Sequence, residues 1–262
     1  MEKLIINQGK NKVVNSPLGL FHCFAIKTKV ITQKDDITSI INMYARPHLE
    51  SGDILFLSEK MVSCTQGRAI PIASIRPGFF ATNLSKFVTK SNRGIGLAMP
   101  ETMQCAIDEV GLPRILLAAA VGAFGKLLKQ KGWFYHVAGR KAAGIDGPAH
   151  YNLPPYNKYV VLTPQSSNQV AAEIAENLMS VPTENHSEES TGESAENIKN
   201  ITVLIVDVCD YGAEILGSSR NLDRNDYAEL LRQNPLGQSN ESTPIGILRK
   251  QRNEKWRVKY ID

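Results

Sequence analysis

The run ITVLIV at residues 201–206, followed at once by Asp207 and then by Asp210, is the feature that most constrains the fold. A short, almost wholly apolar run of this kind predicts a strand that is buried on both faces of a sheet. An ionised carboxylate at the end of such a strand is costly unless another charge or a metal compensates it. Asp207 and Asp210 are therefore candidate ligand-binding residues, because strand ends commonly carry such side chains.

The remaining apolar patterns alternate irregularly between the period of a strand and that of a helix, which predicts a mixed α and β protein. Strands are predicted at residues 52–58, 133–139, 159–164 and 245–248, and helices at 32–46, 100–110, 113–130 and 168–179. The first helix is predicted to start with Thr32 as its N-cap and to end at Pro47. The helix at 113–130 is apolar on nearly all sides, which predicts that it is buried.

Composition narrows the functional classes. The chain has 262 residues, of which 42% are hydrophobic and 21% are charged, as in an ordinary globular protein. Its net charge is +4 without a dense Lys or Arg run, so we expect no nucleic-acid partner. The four Cys form no CxxC pair and the five His have no metal-ligand spacing, which predicts free thiols and no zinc site.

Targeting signals are not evident in the sequence. The N-terminus lacks the apolar core of a signal peptide, and the apolar stretch at residues 115–128 is shorter than a membrane span. We therefore expect a cytoplasmic protein with no membrane partner. Residues 182–200 hold five Glu and one Lys with almost no apolar side chains, which predicts a mobile acidic loop.

Three polar turns could supply oxygen ligands to a metal. One contains Asp207 and Asp210, the second is the Gly-rich segment around Asp146, and the third precedes the strand at 245–248. Magnesium and manganese prefer oxygen ligands. If the three turns converge, the ligands would come from Asp146, Asp207, Asp210, Gln238 and Glu241. Taken singly, each carboxylate is more typical of a turn former or a helix cap than of a metal ligand.

A fourth stretch has the composition of a phosphate site. The predicted strand at 52–58 is followed by Glu59 and Lys60, and then by Gly67 and Arg68. Backbone amides near a Gly turn, with basic side chains close by, can hold phosphate. Neither a GxxxxGK[ST] loop nor a GxGxxG after a strand is present, so this stretch is not one of the common nucleotide motifs.

Taken together, five stretches resemble the coenzyme F420-0:L-glutamate ligase family, the γ-glutamyl ligases of deazaflavin biosynthesis. They are KTKVITQKDDITSII (27–41), GDILFLSEKMVSCTQGR (52–68), AAGID (142–146), LIVDVCD (204–210) and GQSNESTP (237–244). The resemblance implies an α+β, γ-glutamyl-ligase-like fold over residues 1–262, as one unit or as two intertwined subdomains. It also implies an intertwined, butterfly-like homodimer.

The activity implied by the resemblance is that of a ligase which depends on GTP and on magnesium or manganese. Such an enzyme joins L-glutamate or another amino acid to a carboxylate-bearing small-molecule acceptor through an acyl phosphate. Carried over by position, the resemblance implies that Asp146 and Asp207 are catalytic and bind metal, with Asp210 and Gln238 as further metal ligands. The implied nucleotide-contacting positions are Thr28, Lys29, Val30, Ile31, Glu59, Lys60 and Asn240.

The sequence also departs from the family pattern. Ala142 stands where the family has Asn, Cys64 where it has Lys, Val208 where it has Thr and Asn240 where it has Asp. The residues after the Asp146 motif differ as well. These departures leave two alternatives open: a non-catalytic or repurposed protein that binds a phosphorylated metabolite on the same fold, and a metal-dependent phosphohydrolase.

Overall fold

The computed structural model describes residues 4–88, 95–130, 132–150, 152–180, 198–238 and 240–251. The chain folds into two compact units. The first, which we call the sheet unit, comprises residues 1–28, 38–58 and 166–262. The second, which we call the helix unit, comprises residues 29–37 and 59–165. Helices and a mixed sheet occur in the same chain, which makes the fold α+β.

The secondary structure of the described residues is as follows. The strands are β1 (Leu4–Ile5), β2 (Val13–Ser16), β3 (Gly19–Ile26), β4 (Ile54–Ser58), β5 (Ala69–Pro71), β6 (Tyr159–Val161), β7 (Thr202–Cys209), β8 (Gly212–Ser218) and β9 (Ile245–Lys250). The α-helices are α1 (Ile37–Tyr44), α2 (Glu59–Thr65), α3 (Phe79–Leu84), α4 (Pro100–Val110), α5 (Leu112–Leu127), α6 (Trp133–Ala138), α7 (Arg140–Ala143), α8 (Ser167–Ser180) and α9 (Arg224–Leu231).

The sheet unit is built on a seven-stranded mixed sheet with the order β1-β3-β9-β4-β7-β8, in which β2 also pairs with β3. Strands β4 and β7 are parallel, and Ser58 at the end of β4 pairs with Val206. The first five residues of β7 are buried. The predicted strand at 201–206, buried on both faces, is therefore confirmed, and so are the predicted strands at 52–58 and 245–248.

The strand β7 does not end at Val206 as predicted. It continues to Cys209, because its last residues pair with β8 in a hairpin after the pairing with β4 has ended. Asp207 consequently lies inside the strand, and only Asp210 lies in the turn that follows it.

The helix unit has its own core, formed mainly by α4, α5 and the segment that leads into β6. Its buried side chains include Leu97, Met103, Ile115, Ile145 and Val160. The predicted helices at 100–110 and 168–179 and the predicted strand at 159–164 are confirmed as α4, α8 and β6. Gly111, with φ of 86°, separates α4 from α5.

The strand predicted at 133–139 is wrong, because these residues form α6. Gly132 and Gly139, at φ of 90° and 86°, flank this helix. Trp133 and Phe134 pack closely on glycines of α5: a Cβ at Gly125 would lie 3.0 Å from the Trp133 ring. Packing against α5 has therefore overridden the strand preference of the aromatic residues.

The prediction of a buried helix at 113–130 is also wrong in part. Ile115, Ala118 and Gly125 of α5 are buried, whereas Leu117 and Leu127 are 58% and 79% exposed. The helix therefore has a packed face of small residues and an outward face of large apolar residues. Among the described residues, no single helix could cross a bilayer; α4 and α5 reach that length and apolarity only together, with a 117° bend between them.

Two further predictions concern boundaries. The first helix starts at Ile37 and not at Thr32, because Thr32 and Asp35 close a turn in which the Asp35 carboxylate accepts from Thr32 N at 2.7 Å. Of the predicted acidic loop at 182–200, residues 182–197 lie outside the described residues.

Candidate functional site

Asp210 lies at the centre of a polar network in the sheet unit. Its Oδ1 is 2.9 Å from Lys10 Nζ and accepts a 3.1 Å hydrogen bond from Asn234 Nδ2. The Lys10 side chain first, and the Asn234 amide second, hold the pKa of Asp210 below its ordinary value. Gln238 Oε1 accepts from Asp210 N at 3.0 Å and from Asn234 Nδ2 at 3.1 Å. The structure thus brings together two of the predicted metal ligands, Asp210 and Gln238.

The loop that carries Gln238 is fixed at both ends. Asn7, which is 7% exposed, donates to Pro235 O and to Thr243 Oγ1, both at 2.9 Å. Thr28 N donates to Ser242 O, and Ser242 Oγ donates back to Thr28 O. One predicted nucleotide-contacting residue, Thr28, is therefore tied directly to the GQSNESTP motif. Asn240 in the same loop is exposed.

Asp207 lies directly opposite Glu214 in the β7–β8 hairpin. Opposed residues in an antiparallel pair project from the same face of the sheet. Asp207 is half-buried and Glu214 is exposed. The hairpin therefore presents two carboxylates on one face, one residue beyond the position where β7 stops pairing with β4.

Asp146 is the predicted metal ligand that lies in the helix unit. Its backbone is held in extended conformation by two 2.9 Å hydrogen bonds with Val161, one in each direction. Its carboxylate, with a side chain that is 49% exposed, lies 2.8 Å from Lys60 Nζ of α2. The pair joins two of the motifs that the sequence singled out, AAGID and the end of GDILFLSEK.

A second ion pair stands beside it. Glu59, the first residue of α2, is 8% exposed, and its Oε2 lies 3.9 Å from Arg140 Nη2 at the start of α7. An acidic residue in the first turn of a helix is stabilised by the helix dipole. The two adjacent positions Glu59 and Lys60 are thus each matched by an opposite charge within the helix unit, and both belong to the predicted nucleotide-contacting set.

The three remaining predicted nucleotide contacts, Lys29, Val30 and Ile31, also lie in the helix unit. Lys29 Nζ is 2.5 Å from Asp35 Oδ1, and this contact is the main cause of the lowered pKa of Asp35. Val30 is 37% exposed and Ile31 is buried. The hydroxyl of Tyr156 donates to Ile31 O at 2.5 Å.

Two of the departures from the family pattern are packed side chains. Cys64 is 4% exposed, and burial raises the pKa of its thiol. Val208 packs against the core cluster of the sheet unit that includes Val206 and Ile215. Neither position offers a charged or ligating group to a phosphate or a metal.

The predicted site residues fall in both units. Asp207, Asp210 and Gln238 belong to the sheet unit, whereas Asp146, Glu59 and Lys60 belong to the helix unit. The convergence of all three polar turns therefore stays a prediction. In the described part of the chain, no group of three or more His, Cys, Asp or Glu side chains is placed to hold a metal.

Sequence reasoning missed two members of the sheet-unit network, Lys10 and Asn234. Asn234 has φ of 52°, and the Asn-Pro pair that it forms with Pro235 is a turn signal that could have drawn attention to it. Lys10 is 200 residues away from its partner Asp210, and nothing in the sequence marks it.

Comparison with known proteins covers three of the five motif stretches and ends before LIVDVCD and GQSNESTP. The model of the F420-0:gamma-glutamyl ligase family matches residues 25–186, which is more than half of the chain. A search of the curated proteins found no match. The matched region includes Lys60 and Asp146, whose side chains meet in the helix unit. The chain therefore belongs to the F420-0:gamma-glutamyl ligase family, whose members are ligases that act on small molecules.

Proposed function

We propose that the protein is a GTP- and divalent-metal-dependent ligase that joins the amine of L-glutamate or another amino acid to a carboxylate-bearing acceptor. We further propose that it works as an intertwined homodimer. Family membership supports the ligase class. The assignments of nucleotide and metal draw on the family resemblance and on the chemistry of the residues described above, and the acceptor class is what the resemblance implies.

The observation that carries the proposal is the pairing of Lys60 with Asp146. A half-exposed ammonium and a half-exposed carboxylate, 2.8 Å apart, place a phosphate-binding group and a cation-binding group side by side. A nucleotide phosphate with its bound cation carries the complementary pair of charges. The backbone of Asp146 is fixed by its two hydrogen bonds to Val161, which places its side chain next to Lys60.

The carboxylates are of the ligand type that a hard divalent cation prefers. A Lys ammonium lies within 2.9 Å of the carboxylate of Asp146 and of the carboxylate of Asp210. Both carboxylates therefore attract positive charge. Magnesium is commonly bound by only one or two carboxylates, with water and substrate phosphate oxygens completing the shell. We therefore propose Asp146, Asp207, Asp210 and Gln238 as metal ligands. Such a cation neutralises charge that develops on transferred phosphate oxygens.

The proposed reaction has two steps. First, an oxygen of the acceptor carboxylate bonds to the γ-phosphorus of GTP while the bond from that phosphorus to the bridging oxygen breaks, and GDP leaves. Next, the amine nitrogen bonds to the acyl carbon, inorganic phosphate leaves, and the nitrogen loses a proton. In this proposal the Lys60 ammonium holds the phosphate of GTP, a positioning role that accounts for much of the catalysis of phosphoryl transfer.

The proposal is tested by measuring GDP release from the purified chain with GTP, manganese, L-glutamate and a panel of carboxylate acceptors. Release that requires both an acceptor and an amine is expected. Asp146→Asn and Asp207→Asn should each lower the rate by about 10²-fold or more, as losses of electrostatic stabilisation do. Glu229→Gln, which removes only an exposed carboxylate on α9, is the matched control. Absence of any GTP binding by calorimetry in the presence of manganese would show the proposal to be wrong.

One alternative is favoured by a specific observation. Cys64 and Val208, at positions where family members have Lys and Thr, are occupied by packed side chains. A repurposed protein that binds a phosphorylated metabolite without turnover would retain Lys60 and tolerate these losses. It would bind nucleotide or a phosphorylated acid without releasing GDP for any acceptor, and this result separates it from the ligase.

A further inference from the structure

The outward face of α5 carries a stripe of large apolar side chains. At about 100° of rotation per residue, the stripe falls on one side of the helix and the buried residues on the other. The exposed fractions along the stripe are 40% for Leu116, 58% for Leu117, 57% for Phe124 and 79% for Leu127. The stripe runs from Leu116 to the end of α5 at Leu127, which is about 17 Å along the helix axis.

The turn that follows α3 adds to this stripe. Lys126 Nζ donates a 2.6 Å hydrogen bond to Phe87 O, which places Phe87 beside the C-terminal end of α5. Phe87 is 73% exposed, and Leu128, which follows α5, is 51% exposed. We call these exposed apolar residues, together with three neighbouring Lys residues, the α5 patch. It consists of Phe87, Leu116, Leu117, Phe124, Leu127 and Leu128, with Lys86, Lys126 and Lys129.

The chain segments that form the α5 patch carry charge of one sign. These segments, residues 85–88 and 112–130, contain four basic residues and no Asp or Glu, whereas residues 101–109 between them hold Glu101, Asp108 and Glu109. The described basic residues of the patch, Lys86, Lys126 and Lys129, are exposed. An exposed apolar surface rimmed by polar groups is typical of an interaction site, and here the rim is positive.

We propose that the α5 patch binds the surface of an anionic lipid bilayer. A partner for this patch must accept large apolar side chains and supply negative charge. Another copy of the same patch would bring the same basic residues against themselves. A bilayer with anionic headgroups supplies both requirements, because Phe and Leu side chains enter the headgroup boundary while Lys side chains contact the charged surface.

This inference departs from the expectation of a chain with no membrane partner. It is independent of the proposed ligase activity, since none of the residues in the α5 patch belongs to the candidate site. The two proposals can therefore succeed or fail separately.

The test is sedimentation of the full chain with lipid vesicles. Vesicles of phosphatidylcholine with about 30% phosphatidylserine should carry the protein into the pellet, and vesicles of phosphatidylcholine alone should bind it at least about tenfold more weakly. Raising the salt concentration should weaken binding to the anionic vesicles, because the Debye length falls.

Two kinds of variant test the patch itself. The double substitution Phe124→Ser/Leu127→Ser removes exposed apolar groups and should lower binding at least about tenfold. Lys129→Glu should lower binding by about fivefold or more. Met43→Ser, at a 65% exposed position on α1, and Lys34→Glu, at an exposed position in the helix unit, are the matched controls and should bind as the parent chain does.

Three results would overturn the proposal. The first is failure of the parent chain to sediment with anionic vesicles, and the second is equal binding to both kinds of vesicle. The third is a change from dimer to monomer in the Phe124→Ser/Leu127→Ser variant while vesicle binding stays the same, which would assign the patch to a second copy of the chain. Circular dichroism of each variant verifies that its fold is intact.

Discussion

Asn234 and Asp210, 24 residues apart in the chain, are joined by a 3.1 Å hydrogen bond from the Asn234 amide to the Asp210 carboxylate. The same amide nitrogen lies 3.0 Å from Gly237 O and 3.1 Å from Gln238 Oε1. Asn234 is completely buried. One side chain therefore connects the turn after β7 to the loop that carries Gln238, and both segments belong to the candidate site.

Substitution of Asn234 should separate two contributions to the free energy of unfolding. Asn234→Gly removes the side-chain hydrogen bonds to Asp210, Gly237 and Gln238, which should cost about 0.5–1.5 kcal/mol, the net contribution of a typical hydrogen bond. Asn234→Ala removes the same bonds but keeps a Cβ at φ of 52°, so it should be about 1–2 kcal/mol less stable than Asn234→Gly. Urea unfolding of both variants checks this order. Equal stabilities of the two variants would contradict the role assigned to the backbone conformation.

The Lys10–Asp210 pair should make part of the stability depend on pH. A carboxyl group whose pKa is lowered by folding stabilises the protein above its unfolded pKa of about 4, and this contribution is lost as the pH falls through the lowered folded pKa. Asp210→Asn should therefore reduce stability near neutral pH and have a smaller effect in acid. The side chain of Asp210 is 51% exposed, so the difference should stay under about 1 kcal/mol.

The control for this prediction is a second variant. In a Lys10→Met background the main cause of the lowered pKa is gone, so adding Asp210→Asn should change the pH dependence much less. Unfolding free energies measured by urea titration between about pH 7 and pH 3 give the comparison. An unchanged pH dependence in all variants would mean that the pair contributes nothing in solution.

Gly246 and Phe56 form a second specific relationship. They are paired across β9 and β4, and a Cβ at Gly246 would lie 2.1 Å from the Phe56 ring. Phe56 is completely buried and cannot move aside without repacking its cluster. Gly246→Ala should therefore lower the free energy of unfolding by about 1–3 kcal/mol, as overpacking of a core does.

Gly212→Ala is the matched control for Gly246→Ala, because nothing lies within 4 Å of a Cβ built at Gly212. Its stability should stay within about 0.5 kcal/mol of the parent chain. If both variants are equally stable, the close approach of Phe56 to the backbone of β9 does not persist in solution.

The ion pair between Arg249 and Asp53 should stabilise the centre of the sheet unit. Arg249 Nε and Nη2 donate to the two carboxylate oxygens of Asp53 at 2.9 and 2.7 Å, and Asp53 is 2% exposed. Arg249→Met leaves a buried carboxylate without its cation and should cost about 3–5 kcal/mol. The double variant Asp53→Asn/Arg249→Met should be less destabilised than the sum of the single variants. Strict additivity would contradict a direct coupling.

Much of the fold could be predicted where local pattern and tertiary packing agree. The run at 201–206 indicated a doubly buried strand correctly, because only a covered sheet can satisfy so many adjacent apolar residues. At α6 the two disagreed: Trp133 and Phe134 favour a strand locally but pack as a helix on Gly122 and Gly125. The sequence does not show that these glycines leave room for the rings.

The candidate site was predictable only in part for a related reason. Asp146, Lys60, Asp207 and Gln238 could be selected by position in motifs, because motif order is a property of the sequence. Lys10, the partner of Asp210, could not be selected in this way, because it is 200 residues away and lies in a segment without any motif. Long-range ion pairs depend on strand order, which apolar periodicity does not determine.

Cys64 provides the last prediction, because family members have Lys at this position. A Lys introduced here would place its ammonium where the Cys64 side chain is now buried, so Cys64→Lys should destabilise the protein by several kcal/mol. It should not increase affinity for GTP. If Lys60 has taken over the phosphate contact, Lys60→Met should abolish GTP binding, and the double variant Lys60→Met/Cys64→Lys should not restore it. Calorimetry with GTP and manganese measures all three variants. Restored binding in the double variant would show instead that position 64 still reaches the nucleotide, and that the buried thiol reflects only the resting state of the site.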